Sequence, residues 1–345
     1  MSLTYESKMP ESKIEIALLV QTDADNCAVW RNHTELYEAD PLIAANLCSI
    51  LNRNGYLAKP WLSLREFLKY RRTQQRNNIL VFSLIENCFE RNRPCLVPAV
   101  FELYNLPYIG SDPYAQLITS DKQLFKDICA SNGLLCPRGI QIDRKMQPKD
   151  ILSALQQAEL SFPLILKYRY GSMSYGLRKT DCFEELALES RRLLEDELNS
   201  PLLCEEYISG EEATIPIVGT SEDARTLSVI QYTDHLGHAL PLYDMDWKER
   251  YDSLVKMIPY TEDAQWIRQI KQQSLFLYRL FGLRDMSRID LRITKEKKAY
   301  FLEINCIPNL SADSAFDPAS YGVEGSFEDV VLEIVRSAEK RCWRS

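Results

Sequence analysis

The chain has 345 residues, a formal net charge of −8, and a composition that is 46% hydrophobic and 26% charged. This composition is typical of a globular protein, and the length predicts two or three domains. The acidic excess argues against nonspecific nucleic-acid binding, which needs positive charge to displace phosphate counterions. No apolar run approaches the roughly 18 residues that span a bilayer, and the polar N-terminus lacks a signal-peptide core. We therefore expect a cytoplasmic protein without nucleic-acid or membrane partners.

Cysteine and histidine are poorly spaced for zinc. The ten cysteines form no CxxC pair, and His235 and His238 form the single HxxH pair. Structural zinc requires four good ligands, so a metal at this pair is the less favoured alternative. We expect reduced thiols, and we see no partners for a Ser/His/Asp triad.

The N-terminal part alternates strands and helices. Asp40 and Pro41 are a typical N-cap and first helical residue. The βαβα order predicts a parallel sheet covered by helices, and the lack of GxGxxG argues against a dinucleotide site. The predicted elements are a strand over Ile14–Val20, a helix that begins at Asp40 and ends before Gly55, a strand over Ile79–Phe82 and a helix over Leu96–Tyr104.

The remaining chain predicts a mixture of strands and helices. Ser120 is predicted to cap a helix that ends at Gly133. Domain boundaries near residues 120 and 208 divide the chain into 1–119, 120–208 and 209–345. Further strands are predicted over Gly139–Ile142, Leu164–Lys167, Leu202–Tyr207, Ala213–Val218 and Thr226–Tyr232, and helices over Lys149–Leu160, Phe183–Leu198, Tyr260–Phe281 and Phe327–Arg341.

A hairpin near the C-terminus carries paired carboxylates. Two strand-like runs, Met286–Thr294 and Ala299–Asn305, flank a charged turn. Folding the hairpin about the middle of that turn places Asp290 opposite Glu303 and Arg288 opposite Asn305. Since side chains alternate along a strand, all of them share one face, with opposite Cβ atoms about 5 Å apart.

Two adjacent carboxylates repel each other unless a proton or a cation neutralises them. Asp290, Glu303 and Asn305 offer only oxygen ligands, which suit Mg²⁺ or Mn²⁺ with phosphate oxygens completing the shell. The alternative is a solvated hairpin face on which Arg288 pairs with Asp290. The metal prediction depends on register, because a one-residue slip would separate the carboxylates.

This hairpin resembles the magnesium-binding hairpin of ATP-grasp enzymes, and the similarity is closest to D-alanine–D-alanine ligase. The resemblance extends over nearly the whole chain, beginning near the VFSL and LVPAVFELYNLPYIGSD segments. It implies an α/β protein in which an N-terminal parallel α/β domain precedes two α+β subdomains that clasp ATP. It further implies ATP and Mg²⁺ (or Mn²⁺) as cofactors, and it leaves a homodimer open.

Two lysines are candidates for phosphate binding. Lys122 lies at a predicted helix start, and Lys167 closes a buried strand where an unpaired ammonium is unfavourable. The following YRYGSMSYG segment can present backbone N–H groups to phosphate. The resemblance implies phosphate contacts for both lysines and matches Ser174 and Gly176 to the family's phosphate loop. Taken without it, a surface lysine and a flexible hairpin remain alternatives.

The segment LLCEEYISGEEATIPIV resembles the family's adenine and ribose side. The resemblance implies ribose contact for Glu212 and phosphate contact for Lys248, which lies in a segment similar to a mobile active-site loop. Here Glu249 follows that lysine, where the family commonly has Tyr. The remaining implied ATP contacts are the backbone groups near Glu205, Glu206 and Ile208 and the apolar walls of Leu177, Tyr207 and Leu302.

The resemblance also implies acyl activation. An acceptor oxygen attacks ATP, and an amine then displaces phosphate. Arg288 matches the arginine that stabilises the oxyanion, and Ser314 matches the serine that binds the incoming amino acid. Asn309 stands where the ligase has Gly, so the substrate pocket is expected to differ.

The N-terminal segment departs from D-alanine–D-alanine ligases. The first strand runs into QTDADNCAVWRNHTELYEAD, which lacks the glycine pair and the Ser–Glu match for D-alanine. We therefore expect a ligase that joins an amino acid to another small-molecule acceptor, such as mycosporine-glycine or a second amino acid. The alternatives are a true D-alanine–D-alanine ligase and a non-catalytic ATP-binding regulator.

Overall fold

A computed structural model of the protein describes residues 13–20, 40–73, 78–85, 91, 94–196, 198, 200–240, 242–244, 247, 254–260 and 264–343. The described part contains three sheets, and none of its helices is long and apolar enough to cross a membrane. The strands are β1 (Glu15–Leu19), β2 (Leu57–Trp61), β3 (Ile79–Ser83), β4 (Tyr108–Ile109), β5 (Gly139–Ile142), β6 (Leu164–Tyr168), β7 (Arg178–Thr180), β8 (Leu202–Glu206), β9 (Glu211–Gly219), β10 (Arg225–Thr226), β11 (Ile230–Thr233), β12 (Lys256–Pro259), β13 (Asp285–Ile293) and β14 (Ala299–Asn305). The α-helices are α1 (Asp40–Arg53), α2 (Leu64–Thr73), α3 (Leu96–Leu103), α4 (Pro113–Ser120), α5 (Lys122–Ser131), α6 (Pro148–Gln157), α7 (Phe183–Glu195), α8 (Gln265–Leu280) and α9 (Phe327–Trp343).

The N-terminal sheet is parallel and has the order β2-β1-β3-β4. Every residue of β1 and of β3 is buried, as expected for strands covered by helices on both faces. This confirms the parallel α/β architecture predicted from the βαβα order.

The other two sheets form the walls of the functional region. One is antiparallel, with the order β5-β8-β6-β7, and the other has the order β12-β11-β9-β13-β14, with β10 on the edge of β9. The hairpin β13–β14 occupies the edge of the larger sheet, so its polar face continues across β9 and β11.

Two helices join the sheets through their apolar faces. The C-terminal helix α9 packs in the same hydrophobic core as β1, β3 and α1, through residues such as Val331 and Val335. Helix α5 packs through Phe125 and Cys129 against the core of the larger sheet. The domain boundaries near 120 and 208 remain predictions.

Several predicted boundaries were wrong. Ser120 does not cap α5; the cap is Asp121, whose carboxylate accepts from the backbone N–H groups of Gln123 and Leu124, while Ser120 ends α4. Residues 226–232 form two short strands, not one. Helix α8 begins at Gln265, because Tyr260 follows β12 and its backbone N–H donates to the carbonyl of Val229.

Candidate functional site

A cavity of about 680 Å³ lies between the two antiparallel sheets. Its walls come from β6 and β8 on one side and from β9, β11, β13 and β14 on the other. The turn after β6 and the segment after β14 close its ends. Side chains from distant parts of the sequence therefore meet in one concave space.

The hairpin pairs the residues that the sequence predicted to pair. Asp290 lies opposite Glu303, and Arg288 lies opposite Asn305. A β-bulge separates this part of the hairpin from the turn, where Leu291 pairs with Phe301. Leu302 is the extra residue, and a uniform hairpin would place it opposite Asp290. The bulge thus brings both carboxylates onto the cavity face.

Asp290 is the centre of a hydrogen-bonded cluster. Arg288 donates to it twice, with Nε 2.9 Å from Oδ1 and Nη2 2.8 Å from Oδ2. Asn305 Nδ2 donates to Oδ2 at 2.9 Å, and Thr214 Oγ1 donates to Oδ1 at 2.6 Å. The Asp290 charge raises the pKa of Arg288 despite desolvation by burial. The pairing of Arg288 with Asp290 is the alternative considered from sequence, and it coexists with the cavity position of Arg288.

Positive charges from other elements surround Glu303. Lys122 Nζ lies 3.1 Å from Glu303 Oε2 and also donates to the carbonyl of Gly171. Burial favours a higher pKa for Glu303, but the charges of Lys122, Lys167 and Arg288 outweigh it and lower the pKa to about 2. Glu303 is therefore a carboxylate at neutral pH, as a metal ligand must be.

A second carboxylate anchors the other phosphate candidate. Lys167 Nζ lies 3.0 Å from Oε2 of Glu205, which is 3% exposed. Lys126, on α5, also donates to Glu205 and is 4% exposed. Burial lowers the pKa of Lys167 to about 8, and the charge of Lys122 acts in the same direction.

The turn after β6, predicted to bind phosphate, has an unusual backbone conformation. Met173 and Ser174 both have positive φ, and Ser174 Oγ donates to the carbonyl of Tyr243 at 3.3 Å. Gly176 also has positive φ, and a Cβ there would meet the ring of Tyr168 at 2.6 Å. Glycine is needed at 176 for both reasons.

The segment after β14 places two candidate substrate residues in turns. Asn309 Oδ1 accepts from the backbone N–H of Ser311 at 3.1 Å. Ser314 Oγ accepts from the backbone N–H of Phe316 at 3.2 Å. Both residues line the cavity.

The structure brings most of the predicted site residues into this one cavity. Gly176 is not among the lining residues and supports the loop from behind. Lys248 lies outside the described residues. The predicted residues that line the cavity are Lys122, Lys167, Ser174, Leu177, Glu205, Glu206, Tyr207, Ile208, Glu212, Arg288, Asp290, Leu302, Glu303, Asn305, Asn309 and Ser314.

Sequence reasoning missed several residues on the same face. Arg292 lies two positions beyond Asp290 on β13, so strand alternation alone could have included it. Thr214 alternates with Glu212 on β9 in the same way. Tyr232 and Met257 pair across β11 and β12 and also line the cavity, but no sequence signal linked them to the hairpin.

The donor set fits a hard divalent cation. Within the described ranges, no three His, Cys, Asp or Glu side chains form a metal cluster. The oxygen donors that the hairpin offers on the cavity face are the Asp290 and Glu303 carboxylates and the Asn305 amide, and oxygen donors of this kind suit Mg²⁺ or Mn²⁺.

Comparisons with known proteins agree with this geometry. Residues 137–336 match the family described as D-ala D-ala ligase C-terminus. A D-alanine–D-alanine ligase of Polaromonas naphthalenivorans is 30% identical over 243 residues, which cover 70% of this chain and 73% of that protein.

Solved structures show the same fold. The D-alanine–D-alanine ligase of Bacillus anthracis, solved with ATP, superposes with a TM-score of 0.73 at 18% identity, covering 96% of this chain and 98% of that one. A D-Ala:D-Ser ligase of Enterococcus faecalis gives 0.70 at 18% identity, covering 95% and 100%. The ATP-grasp architecture expected from the sequence is confirmed. The chain therefore belongs to the D-alanine–D-alanine ligase family, as a divergent ATP-grasp member, and it is an ATP-dependent ligase that forms carbon–nitrogen bonds.

Proposed function

We propose that this ligase joins the amine of an amino acid to a small-molecule acceptor other than D-alanine. The observation that carries the proposal is the cavity face on which Arg288, Asp290, Glu303 and Asn305 meet Lys122. These side chains support phosphoryl transfer at one end of the cavity and attack by an amine at the other end of the cavity. Because the reaction consumes ATP, we propose the cytoplasm as its compartment.

The proposed reaction has two steps, phosphorylation of the acceptor and attack by the amine. An acceptor oxygen, from a carboxylate or an enol-type group, attacks the γ-phosphorus of ATP, and ADP leaves. The amine then attacks the carbon bearing the new phosphate ester or anhydride, phosphate leaves, and the nitrogen loses a proton. Lys122 and Lys167 bind phosphate oxygens, and Arg288 stabilises the charge that develops at the reacting centre. Asp290, Glu303 and Asn305 would hold Mg²⁺ or Mn²⁺, which when bound neutralises phosphate charge.

The remaining nucleotide contacts follow from their places in the cavity wall. We assign the ribose to Glu212, the adenine edge to the backbone at Glu205, Glu206 and Ile208, and the base walls to Tyr207 and Leu302. Ser174 contributes to the phosphate loop. Asn309 and Ser314 lie on the amino-acid side, and Lys248 is proposed as a further phosphate contact.

The wall on the acceptor side supports an acceptor other than D-alanine. Within the described part of the N-terminal domain, the residues that line the cavity are Ile43 and Leu84. Both side chains are apolar, and the predicted first-substrate segment QTDADNCAVWRNHTELYEAD lacks the glycine pair and the Ser–Glu match for D-alanine. Tyr232 and Met257 add further aromatic and apolar surface. Mycosporine-glycine and amino acids with larger side chains are suitable candidates for this wall.

A true D-alanine–D-alanine ligase is the second candidate. The names of the curated relatives favour it, including the Polaromonas naphthalenivorans protein at 30% identity.

Phosphate release with purified protein, ATP and Mg²⁺ separates the two candidates. Acceptors, including D-alanine, mycosporine-glycine and other amino acids, are crossed with a panel of amino acids, and products are identified by mass. We expect little D-alanyl-D-alanine. Finding that dipeptide as the fastest product of the panel would overturn the proposal in favour of the second candidate.

A further inference from the structure

Arg292 is a buried cation in the proposed nucleotide site that none of the assigned roles uses. It is 4% exposed and lines the cavity from β13. Burial of an arginine is unfavourable unless its charge is paired. Nη1 and Nη2 of Arg292 are hydrogen-bonded, whereas Nε has no partner among the described residues. The partners of the Arg292 side chain therefore indicate its role in the site.

Within the described residues, the hydrogen bonds and cation–π contact of the Arg292 side chain all fall on the short segment from Tyr207 to Glu212. Nη1 donates to Glu212 Oε2 at 3.1 Å, and Nη2 donates to the carbonyl of Gly210 at 2.6 Å. The guanidinium carbon lies 5.1 Å from the centre of the Tyr207 ring, within cation–π distance. One side chain thus connects the expected purine wall with the expected ribose carboxylate.

The backbone of this segment is also held close to β13. A Cβ at Gly210 would lie 2.3 Å from the carbonyl oxygen of Ile293, so only glycine allows this approach. The close approach brings the carbonyl of Gly210 within reach of Arg292. The Glu212 carboxylate is therefore fixed relative to the backbone that precedes it, and the backbone N–H of Tyr243 also donates to Oε2 at 3.2 Å.

We propose that Arg292 is a positioning residue that makes the nucleotide site selective for ribose. A carboxylate that is already oriented by Arg292 and by the backbone N–H of Tyr243 can accept a ribose hydroxyl without reorganising. A nucleotide without that hydroxyl leaves a half-buried carboxylate short of a hydrogen-bond donor, which is costly. This inference rests on the proposed ATP site but not on the identity of the acceptor.

Equilibrium binding tests the proposal without any acceptor. Affinities for ATP, 2′-deoxyATP and 3′-deoxyATP are measured by calorimetry for the unmodified protein, Arg292→Met and Arg292→Lys. We expect the unmodified protein to bind ATP roughly ten- to a hundredfold more tightly than at least one deoxynucleotide, as for a hydrogen bond to a charged group. In Arg292→Met this ratio should fall towards one, and Arg292→Lys should recover part of it.

Arg225→Met is the matched control. Arg225 lies at the edge of the same sheet and pairs with Glu333 at 2.5 Å, outside the cavity. Arg225→Met should leave the affinities for ATP, 2′-deoxyATP and 3′-deoxyATP unchanged. If Arg292→Met does not fold, Glu212→Gln with Arg292 intact should lose the same ribose preference.

The outcomes separate the two proposals. Tight ATP binding with equal affinity for all three nucleotides overturns the role of Arg292 and leaves the proposed function standing. An unchanged ratio in folded Arg292→Met also overturns it. Failure of the unmodified protein to bind ATP overturns the proposed function and this inference together.

Discussion

Lys122 Nζ lies 3.1 Å from Glu303 Oε2, so a side chain expected to bind phosphate is paired with one expected to bind the metal. A cation that takes Glu303 must compete with the ammonium group for the same carboxylate. ATP phosphate offers Lys122 a replacement anion. Nucleotide and metal are therefore expected to bind cooperatively at this pair.

The first prediction concerns this coupling. Mn²⁺, used as a paramagnetic substitute for Mg²⁺, should bind at least tenfold more tightly with a non-hydrolysable ATP analogue than alone, since ~1.4 kcal/mol of coupling gives a factor of ten. Electron paramagnetic resonance titrations measure both affinities. Lys122→Met should reduce the coupling because it removes the ammonium group that pairs directly with Glu303. Equal Mn²⁺ affinity with and without the analogue would contradict the prediction.

The second prediction concerns Glu303 itself. Glu303→Gln keeps the size and one oxygen but loses the charge, so ADP formation should nearly cease while the circular dichroism spectrum is unchanged. Glu296→Gln, in the exposed turn of the same hairpin, is the matched control and should retain activity. Full activity in Glu303→Gln would remove this residue from the metal site.

A third prediction follows from Lys167, whose pKa burial lowers to about 8. Phosphate binding needs the ammonium form, so kcat/KM for ATP should fall roughly tenfold per pH unit above about 8. Lys167→Arg stays charged there and should abolish this alkaline limb. Lys179→Arg, on the edge strand β7 and outside the cavity, should leave the limb in place. A limb that survives in Lys167→Arg would assign the titration to another group.

The lowered pKa of Lys167 should make stability increase with pH, whereas it should make kcat/KM for ATP decrease with pH. The folded-state pKa of Lys167, about 8, lies below the ordinary value of 10.5. Between these values the unfolded chain binds more protons, so the contribution of this group to the free energy of unfolding rises with pH. In the absence of nucleotide, Lys167→Arg should lose this rise, as measured by urea unfolding at intervals across the window.

The fourth prediction concerns Ser314. If its hydroxyl also donates to the carboxylate of the incoming amino acid, Ser314→Ala should raise the KM for that amino acid roughly ten- to a hundredfold at saturating ATP. Loss of its contact with the N–H of Phe316 should cost about 1 kcal/mol of stability in either case. Ser320→Ala is the control, since that hydroxyl donates to the carbonyl of Asp317 at 2.8 Å. An unchanged KM with a lower Tm would make Ser314 a turn residue only.

The fifth prediction concerns stability at the start of β13. Asp285 is fully buried and accepts from Arg341 at 2.5 Å, from Ser337 at 2.8 Å and from the backbone N–H of Gly110 at 2.8 Å. Asp285→Asn tolerates the positive φ at this position but leaves Arg341 without its charged partner, so it should cost about 3–5 kcal/mol in urea unfolding. Ser337→Ala should cost about 1–3 kcal/mol. A loss below 1 kcal/mol in Asp285→Asn would show that the network is not needed.

Local periodicity was sufficient to predict the polar face of the hairpin. Alternation by two places Arg288 and Asp290 on one side of β13 whatever surrounds the strand, because it follows from the pleat. The buried run of β1 and the Asp-Pro start of α1 are local signals of the same kind. These local signals were enough to predict the parallel sheet of the N-terminal domain.

The register across the hairpin was right for a reason that the sequence did not supply. A uniform hairpin drawn from the observed turn pairs Asp290 with Leu302, and the bulge at Leu302 restores Glu303 as its partner. Whether a bulge forms depends on how both strands pack against their sheet, which alternation cannot report. The wrong helix cap at Ser120 has a similar origin, since two helices meet there and Asp121, which also pairs with Arg169, caps the second.

Residue types and their spacing predicted which side chains could bind phosphate, metal and substrate, and the resemblance to ATP-grasp ligases indicated where along the chain they lie. Contacts between residues of separate elements could be read only from the folded chain. Lys122 meets Glu303, Lys126 and Lys167 share Glu205, and Arg292 meets Glu212, each pair brought together by packing between separate elements. Such contacts depend on how sheets and helices pack over long sequence separations, whereas strand and helix periods describe only the few residues around each position.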